Sequence, residues 1–160
     1  PLDTSIPHLI RFRTFSKAYG MAGARIGYAI TSSEMARAFD KVRNHFGVNK
    51  IAQAGALAAL RDQAHLKDVQ VKVINARNRI GEIAANNGLS VLPSQTNFVT
   101  IDCGRDGDYA RRVLSLLVAR GIFVRMPGVA PLDRCIRVSA GKDQDLDAFA
   151  AVLPDALREA

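Results

Sequence analysis

The chain reads as an α/β protein. Three observations predict this class. Short apolar runs rich in β-branched and aromatic residues recur, such as "HLIRFRTF" from His8 and "NFVTIDC" from Asn97. Longer segments carry apolar residues at three- and four-residue spacing. In the second half the two kinds of segment alternate. At 160 residues there is room for one domain, or for one and a fraction.

From the N-terminus, His8 to Phe15 predicts a strand that runs into a glycine-bearing loop, and "RIGYAI", Arg25 to Ile30, a second short buried strand. "TSSEMARAFDKVRNHF" opens on capping serines and an early Glu34, then sets Met35, Ala38, Phe39 and Val42 on one helical face. Asn49 to Arg61 is alanine-rich and nearly apolar, as in a helix buried on several sides. Leu66 to Asn87 carries Leu66, Val69, Val73, Ile80 and Ile83 at amphipathic spacing and stops at Asn87-Gly88, a C-cap signal. Beyond it, "NFVTIDC" predicts a strand, Tyr109 to Arg120 a helix, "GIFVR" and "CIRVSAG" short strands, and Asp143 to Arg158 a terminal helix. A helix as long as that from Leu66 commonly links two lobes, which divides the chain into residues 1–65 and 66–160.

Composition excludes several classes. With 48% hydrophobic and 23% charged residues the chain is far from disorder. No apolar run approaches the roughly 20 residues of a membrane span, and no basic leader opens the chain, so the cytoplasm is the expected compartment and no membrane partner is expected. Cys103 and Cys135 lack metal-ligand spacing and read as two buried, reduced thiols; no metal is expected. The net charge of +7 raises the question of nucleic acid, but the basic residues are scattered at helical spacing and no nucleic-acid motif accompanies them. An anionic small ligand accounts better for two of the arginines. The chain opens on Pro1, which reads as a cut inside a longer protein.

"TFSKAYGMAGARIGY", Thr14 to Tyr28, sets Lys17 and Arg25 among three glycines, where the backbone must turn tightly or let something approach. A lysine that attacks a carbonyl must be deprotonated part of the time, against a free pKa near 10.4; a neighbouring cation and partial burial favour the neutral form. Arg25 offers a planar fork for a phosphate, and the hydroxyls of Thr14 and Ser16 can donate to the same oxygens. One loop thus offers an amine for an aldehyde and a clamp for a phosphate, and pyridoxal phosphate carries both groups. By chemistry alone, a surface lysine on a tight turn accounts for the same residues.

"RTFSKAYGMAGARIGYAI" resembles the cofactor-lysine segment of the fold-type I pyridoxal-phosphate aminotransferases, most closely the histidinol-phosphate aminotransferase branch. The resemblance continues in order through "VNKIAQAGALAAL", "LPSQTNFV", "GIFVR" and "CIRVSAG" and covers essentially the whole chain. It implies the C-terminal part of that fold: the end of the large cofactor domain in residues 1–65, then the small α/β domain in 66–160. By the resemblance, Lys17 matches the lysine that holds pyridoxal 5′-phosphate as a Schiff base and then shuttles the proton. Arg25 matches the arginine on the cofactor phosphate, with Ser16 and Thr14 beside it. Arg137 matches the arginine that takes the substrate's anionic group, and Asn97 lies in a block near the substrate in relatives. The implied reaction moves an amino group from a donor such as histidinol phosphate or an aromatic amino acid to a 2-oxo acid. A decarboxylase or lyase of the same fold type, or a non-catalytic binding module, are the alternatives.

The family's other cofactor contacts lie upstream of its lysine: an aspartate at the pyridine nitrogen, a stacking aromatic, an asparagine and a tyrosine at the ring hydroxyl, and a phosphate-binding turn. None is in this sequence, so the resemblance implies that the chain alone is not a competent transaminase. It also implies a homodimer with shared active-site residues, and hence exposed apolar surface here. The remaining candidates read blandly. Arg125 is as well a loop cation as a site residue. His8, His45 and His65 are structural or exposed, and Tyr19 and Tyr28 are packing groups. Asp102, Asp106 and Asp108 form a polar strand exit. The apolar loop "RMPGVAPLDR" before "CIRVSAG" suits an aromatic or imidazole-bearing substrate.

Overall fold

A computed structural model describes residues 3–160. These form two compact units, residues 3–70 and Val71–Ala160, with the division inside the longest helix.

In the first unit, β1 (Arg11–Thr14) pairs antiparallel with β2 (Gly27–Ile30), Arg11 opposite Ile30 and Thr14 opposite Gly27. Both strands are shorter than their apolar runs. His8 has a left-handed backbone (φ 64°), which breaks the extended run before Arg11, and Arg25 is likewise left-handed (φ 50°), so β2 starts at Gly27. The second strand is also not buried: Gly27, Tyr28 and Ala29 are exposed and Ile30 half-buried. A two-stranded ribbon has two faces and two edges, and little within this unit covers them.

Helix α1 (Ser33–Asp40) starts where the Ser32 hydroxyl accepts from the Met35 amide, but it stops before Val42, which is 81% exposed. Helix α2 (Lys50–Arg61) is capped by Asn49, whose side chain accepts from the Ala52 amide at 2.8 Å. It is not buried on several sides. Only Ala52 and Ala56 are buried, while Ile51 is 86% exposed and Leu57 and Leu60 are exposed too. Asp62 ends α2 and begins the next helix: its amide donates to Ala58 and its carboxylate accepts from the His65 amide at 2.9 Å.

That helix, α3 (Gln63–Asn86), starts three residues before the predicted Leu66 because of this cap. It ends in a Schellman motif, with Leu89 N–H donating to the Ala84 carbonyl and Gly88 N–H to Ala85, and Gly88 holding the positive φ of 71° that the motif needs. Three antiparallel strands follow in the order β3 (Ser90–Val91), β4 (Phe98–Asp102), β5 (Cys135–Ser139). Between the last two lies α4 (Gly107–Ala119), capped by Asp106 onto the Tyr109 amide, and after them α5 (Asp143–Glu159), where Asp145 accepts from the Lys142 amide. "GIFVR" does not form a strand. Only Arg125 bridges to Arg137, and Phe123 is 76% exposed. Two backbone bonds at a single residue pair cannot define a strand.

One core serves the second unit. Ile80 and Ala84 of α3, Val99 and Ile101 of β4, Val113 and Leu117 of α4, Ile136 and Val138 of β5, and Leu146, Phe149 and Leu153 of α5 are all buried together. Helices α4 and α5 are further tied by the Arg120–Glu159 ion pair and by the Tyr109 hydroxyl, which donates to the Leu157 carbonyl at 2.9 Å. At the other end of α5, Arg79 of α3 pairs with Asp147.

Replacing a fully buried branched side chain here removes its transfer energy and leaves a cavity. Ile136→Ala is expected to cost about 2–5 kcal/mol of unfolding free energy in urea titration. Gly88→Ala, which forces a Cβ into the left-handed region, is expected to cost about 1 kcal/mol.

Candidate functional site

The loop between β1 and β2 is organised by one buried ring. Phe15 is 4% exposed, and its backbone closes the loop in both directions: its N–H donates to the Ile26 carbonyl at 3.3 Å and its carbonyl accepts from the Met21 amide at 2.9 Å. Its ring packs against Tyr19 (centroids 4.9 Å) and Tyr28 (5.7 Å), so both tyrosines do serve packing. A further bond from the Gly20 amide to the Lys17 carbonyl, 2.9 Å, tightens the turn that carries the lysine. Close pairing of the two strands then requires Gly27, because a Cβ there would lie 2.6 Å from the Arg13 carbonyl oxygen.

Four predicted site residues lie on or beside this closed loop. Lys17 is exposed at the turn. Thr14 ends β1, and its hydroxyl accepts from the Ser16 amide at 3.0 Å, so the two hydroxyl residues sit in one local turn. Arg25 is exposed. Its left-handed backbone costs a non-glycine residue about 1–2 kcal/mol, and its guanidinium Nη1 donates to the Ala22 carbonyl at 2.9 Å. The side chain is therefore folded back over the short 3₁₀ turn Ala22–Ala24 with part of its fork still free.

The other two lie in the second unit. Asn97 is exposed at the residue before β4, and its carbonyl accepts from the Ala140 amide at 2.9 Å. Arg137 is the middle residue of β5, half-buried, opposite Thr100 of β4 and bridged on its other side to Arg125. Among the described residues the Arg137 side chain makes no ion pair or hydrogen bond; its guanidinium carbon sits 4.7 Å above the centre of the Phe98 ring. Phe98 carries no polar group and was not singled out by sequence. Its place beside Arg137 follows from the register, which sets Phe98 opposite Ser139 and Thr100 opposite Arg137. Arg125 is exposed on the neighbouring segment.

The remaining polar groups have structural partners. Arg134 pairs with Asp102 at 2.9 Å, and the same carboxylate accepts from the Gly104 amide at 2.8 Å. Burial pushes the Asp102 carboxyl up, but these two bonds outweigh it and hold it below the usual carboxylate range. Asp106 and Asp108 sit at the start of α4, as cap and first-turn acid. Cys103 and Cys135 are free and buried, and burial pushes the Cys103 thiol up to about 11. His8, His45 and His65 are exposed. Among the described residues no cluster of His, Cys, Asp and Glu is arranged to hold a metal, and no helix is long and apolar enough to cross a membrane.

Comparison with known proteins finds aminotransferases, while a decarboxylase of Sulfurospirillum multivorans is also similar in fold, with a TM-score of 0.75 and 26% identity over 94% of this chain and 44% of that one. A sequence model of the family described as aminotransferase class I and II matches residues 2–153. The chain is 38% identical over 153 residues to a histidinol-phosphate aminotransferase of Bacillus licheniformis, covering 96% of this chain and 42% of that protein. It is 39% identical to histidinol-phosphate aminotransferase 1 of Cupriavidus pinatubonensis, covering 95% of this chain and 40% of the relative. Among solved structures it is similar to the histidinol-phosphate aminotransferase of Sinorhizobium meliloti in complex with pyridoxal 5′-phosphate, with a TM-score of 0.90 and 57% identity over 96% of this chain and 42% of that one. The chain thus spans about two fifths of the length of the curated relatives it matches.

Two outcomes are expected from this geometry. A carboxyl whose folded pKa is depressed adds stability above its unfolded value, near 3.9, and loses it as pH falls through the lower folded value. Asp102→Asn should therefore cost about 1 kcal/mol at pH 7, and the cost should vanish in acid unfolding curves taken below that window. Cys103, neutral and buried, should resist alkylation at pH 8 in the native state and react on addition of urea.

Proposed function

The chain belongs to the aminotransferase class I and II family, and from that premise we propose that it is the C-terminal portion of a pyridoxal-phosphate-dependent transaminase acting on histidinol phosphate or an aromatic amino acid, with a 2-oxo acid as acceptor. The observation that carries this reading is the closed Thr14–Tyr28 loop, which presents an exposed primary amine at Lys17, adjacent hydroxyls at Thr14 and Ser16, and the fixed guanidinium of Arg25.

This donor set fits pyridoxal 5′-phosphate. An amine on a tight turn is accessible to an aldehyde, and the Arg25 fork with two hydroxyls suits a phosphate dianion. When bound, the cofactor supplies the electron sink for breaking bonds at the substrate's amino-bearing carbon. Lys17 would hold the cofactor through its Nζ amine and would hold and return the substrate's proton at the same atom. Arg25, with the hydroxyls of Thr14 and Ser16, would hold the phosphate. Arg137 takes the anionic group of the substrate, a phosphate or a carboxylate, and Asn97 lies beside the substrate. Residues 1–65 are then the end of the cofactor domain and 66–160 the small domain. The partners are small molecules and a second copy of the protein, in the cytoplasm, with no nucleic acid. The exposed apolar side chains of the first unit, Phe46 at 91% among them, agree with a surface that is covered in the assembled enzyme.

The test uses the full-length gene product. Borohydride reduction after addition of pyridoxal 5′-phosphate, followed by peptide mass spectrometry, should give a single phosphopyridoxyl adduct on Lys17, and Lys17→Ala should lower turnover by on the order of 10²- to 10⁴-fold. Arg25→Lys keeps the charge and loses the fork, and should weaken cofactor affinity about ten- to hundred-fold in spectrophotometric titration. Adducts scattered over other lysines, or unchanged turnover in the alanine variant, would reject the assignment. Release of carbon dioxide instead of a 2-oxo acid or aldehyde product would move the chain to the decarboxylases of the same fold type.

A further inference from the structure

Arg137 differs in how it is held from five of the other nine arginines of the second unit, and from Arg105, which lies over the Tyr109 ring but is exposed, in being half-buried. Arg79, Arg111, Arg120, Arg134 and Arg158 are each paired with a carboxylate. Arg137 is half-buried in the middle of β5, yet among the described residues it has no acidic partner, and its guanidinium carbon lies 4.7 Å over the face of Phe98. A carboxylate would orient a guanidinium equally well but would neutralise it and occupy its fork. An aromatic face orients it through the ring quadrupole and uses none of its N–H donors.

We propose that Phe98 is a positioning residue, whose ring sets the plane of the Arg137 guanidinium so that the fork stays charged and free for the substrate's anionic group. The inference rests on the reading of Arg137 given above. The backbone that carries the ring is fixed from behind. The Phe98 carbonyl accepts from the Ser94 hydroxyl at 2.6 Å and from the Thr96 hydroxyl at 3.2 Å, and its amide donates to Thr96 Oγ1 at 3.3 Å. Arg77 of α3 in turn donates to the Thr96 carbonyl at 3.0 Å. Arg137 is held on both strand edges, opposite Thr100 and by reciprocal backbone bonds with Arg125 of 2.6 and 3.1 Å. With both backbones pinned, the ring is held within reach of the guanidinium, and stacking on it reduces the rotamer freedom left to be lost when an anion binds.

The experiment is steady-state kinetics on the full-length holoenzyme, with histidinol phosphate and its phosphate-free analogue histidinol as paired donors. Phe98→Leu keeps an apolar side chain and removes the ring. It is expected to raise KM for histidinol phosphate about three- to thirty-fold, leave KM for histidinol and both kcat values within two-fold, and be rescued by Phe98→Tyr. In an Arg137→Gln background, where KM for histidinol phosphate is already raised, Phe98→Leu should add nothing. Should Phe98→Leu fail to fold, Phe98→Met takes its place in both backgrounds. Equal loss for the two donors, no rescue by tyrosine, or an additive effect in the double variant would overturn the proposal and make Phe98 a packing residue. If instead Arg137→Gln leaves KM for histidinol phosphate unchanged, it is the assignment of Arg137 that fails, which separates the two results.

Discussion

The antiparallel register of β4 against β5 is the constraint on which the second unit depends. Side chains of a strand alternate between faces, so the pairing that opposes Ile101 to Ile136 and Val99 to Val138 sends those four into the core and Phe98, Thr100 and Arg137 to the other face. A slip of one residue would bury Arg137 with no partner and expose the apolar set. Core and charge therefore specify the same register, and the surroundings of Arg137 are a by-product of the packing that stabilises the unit. Helices α4 and α5 follow from the same sheet, since each has an apolar face to bury against it.

The first unit is built on different physics. Its buried apolar side chains are few, and its large hydrophobics stand mostly exposed along β1, α2 and the segment between α1 and α2. Local backbone bonds hold it instead: three close the loop around Phe15, and side-chain caps begin α1 and α2. This is why the sequence told the elements apart better than it told their burial. Ser32 and Asn49 mark helix starts through bonds made within three residues, a local signal. The alanine and leucine content of α2 records what would be stable if covered, and carries no information on whether a covering surface is present. The same reasoning accounts for β2, apolar in sequence and exposed in the fold.

Legibility of the candidate site divides in the same way. Thr14, Ser16, Lys17 and Arg25 fall within twelve residues, so their chemistry could be read from one segment, and the fold adds the closure through Phe15. Arg137 could be named from its own block, but Phe98 could not be assigned to it, because their contact depends on the register of strands more than thirty residues apart. "GIFVR" shows the converse: its apolar alternation is strand-like, while only Arg125 finds a strand partner among the described residues, and Val124 is buried without one. The cap that moves the start of α3 to Gln63 also lay outside the apolar pattern, in a single aspartate.

On the proposed function, the two anion-binding arginines face different demands, and their surroundings differ accordingly. A cofactor phosphate stays bound through many turnovers, so its clamp gains from being rigid. Arg25 has a left-handed backbone, and one guanidinium nitrogen is already given to the Ala22 carbonyl, which restrains the fork. A substrate anion must bind and leave in every cycle. A guanidinium held in a carboxylate pair would have to break that pair each time, whereas one lying on a ring face exchanges only water and breaks no bond to the protein. The ring of Phe98 thus orients Arg137 without competing for the ligand, which is the property an exchanging site needs and a permanent one does not.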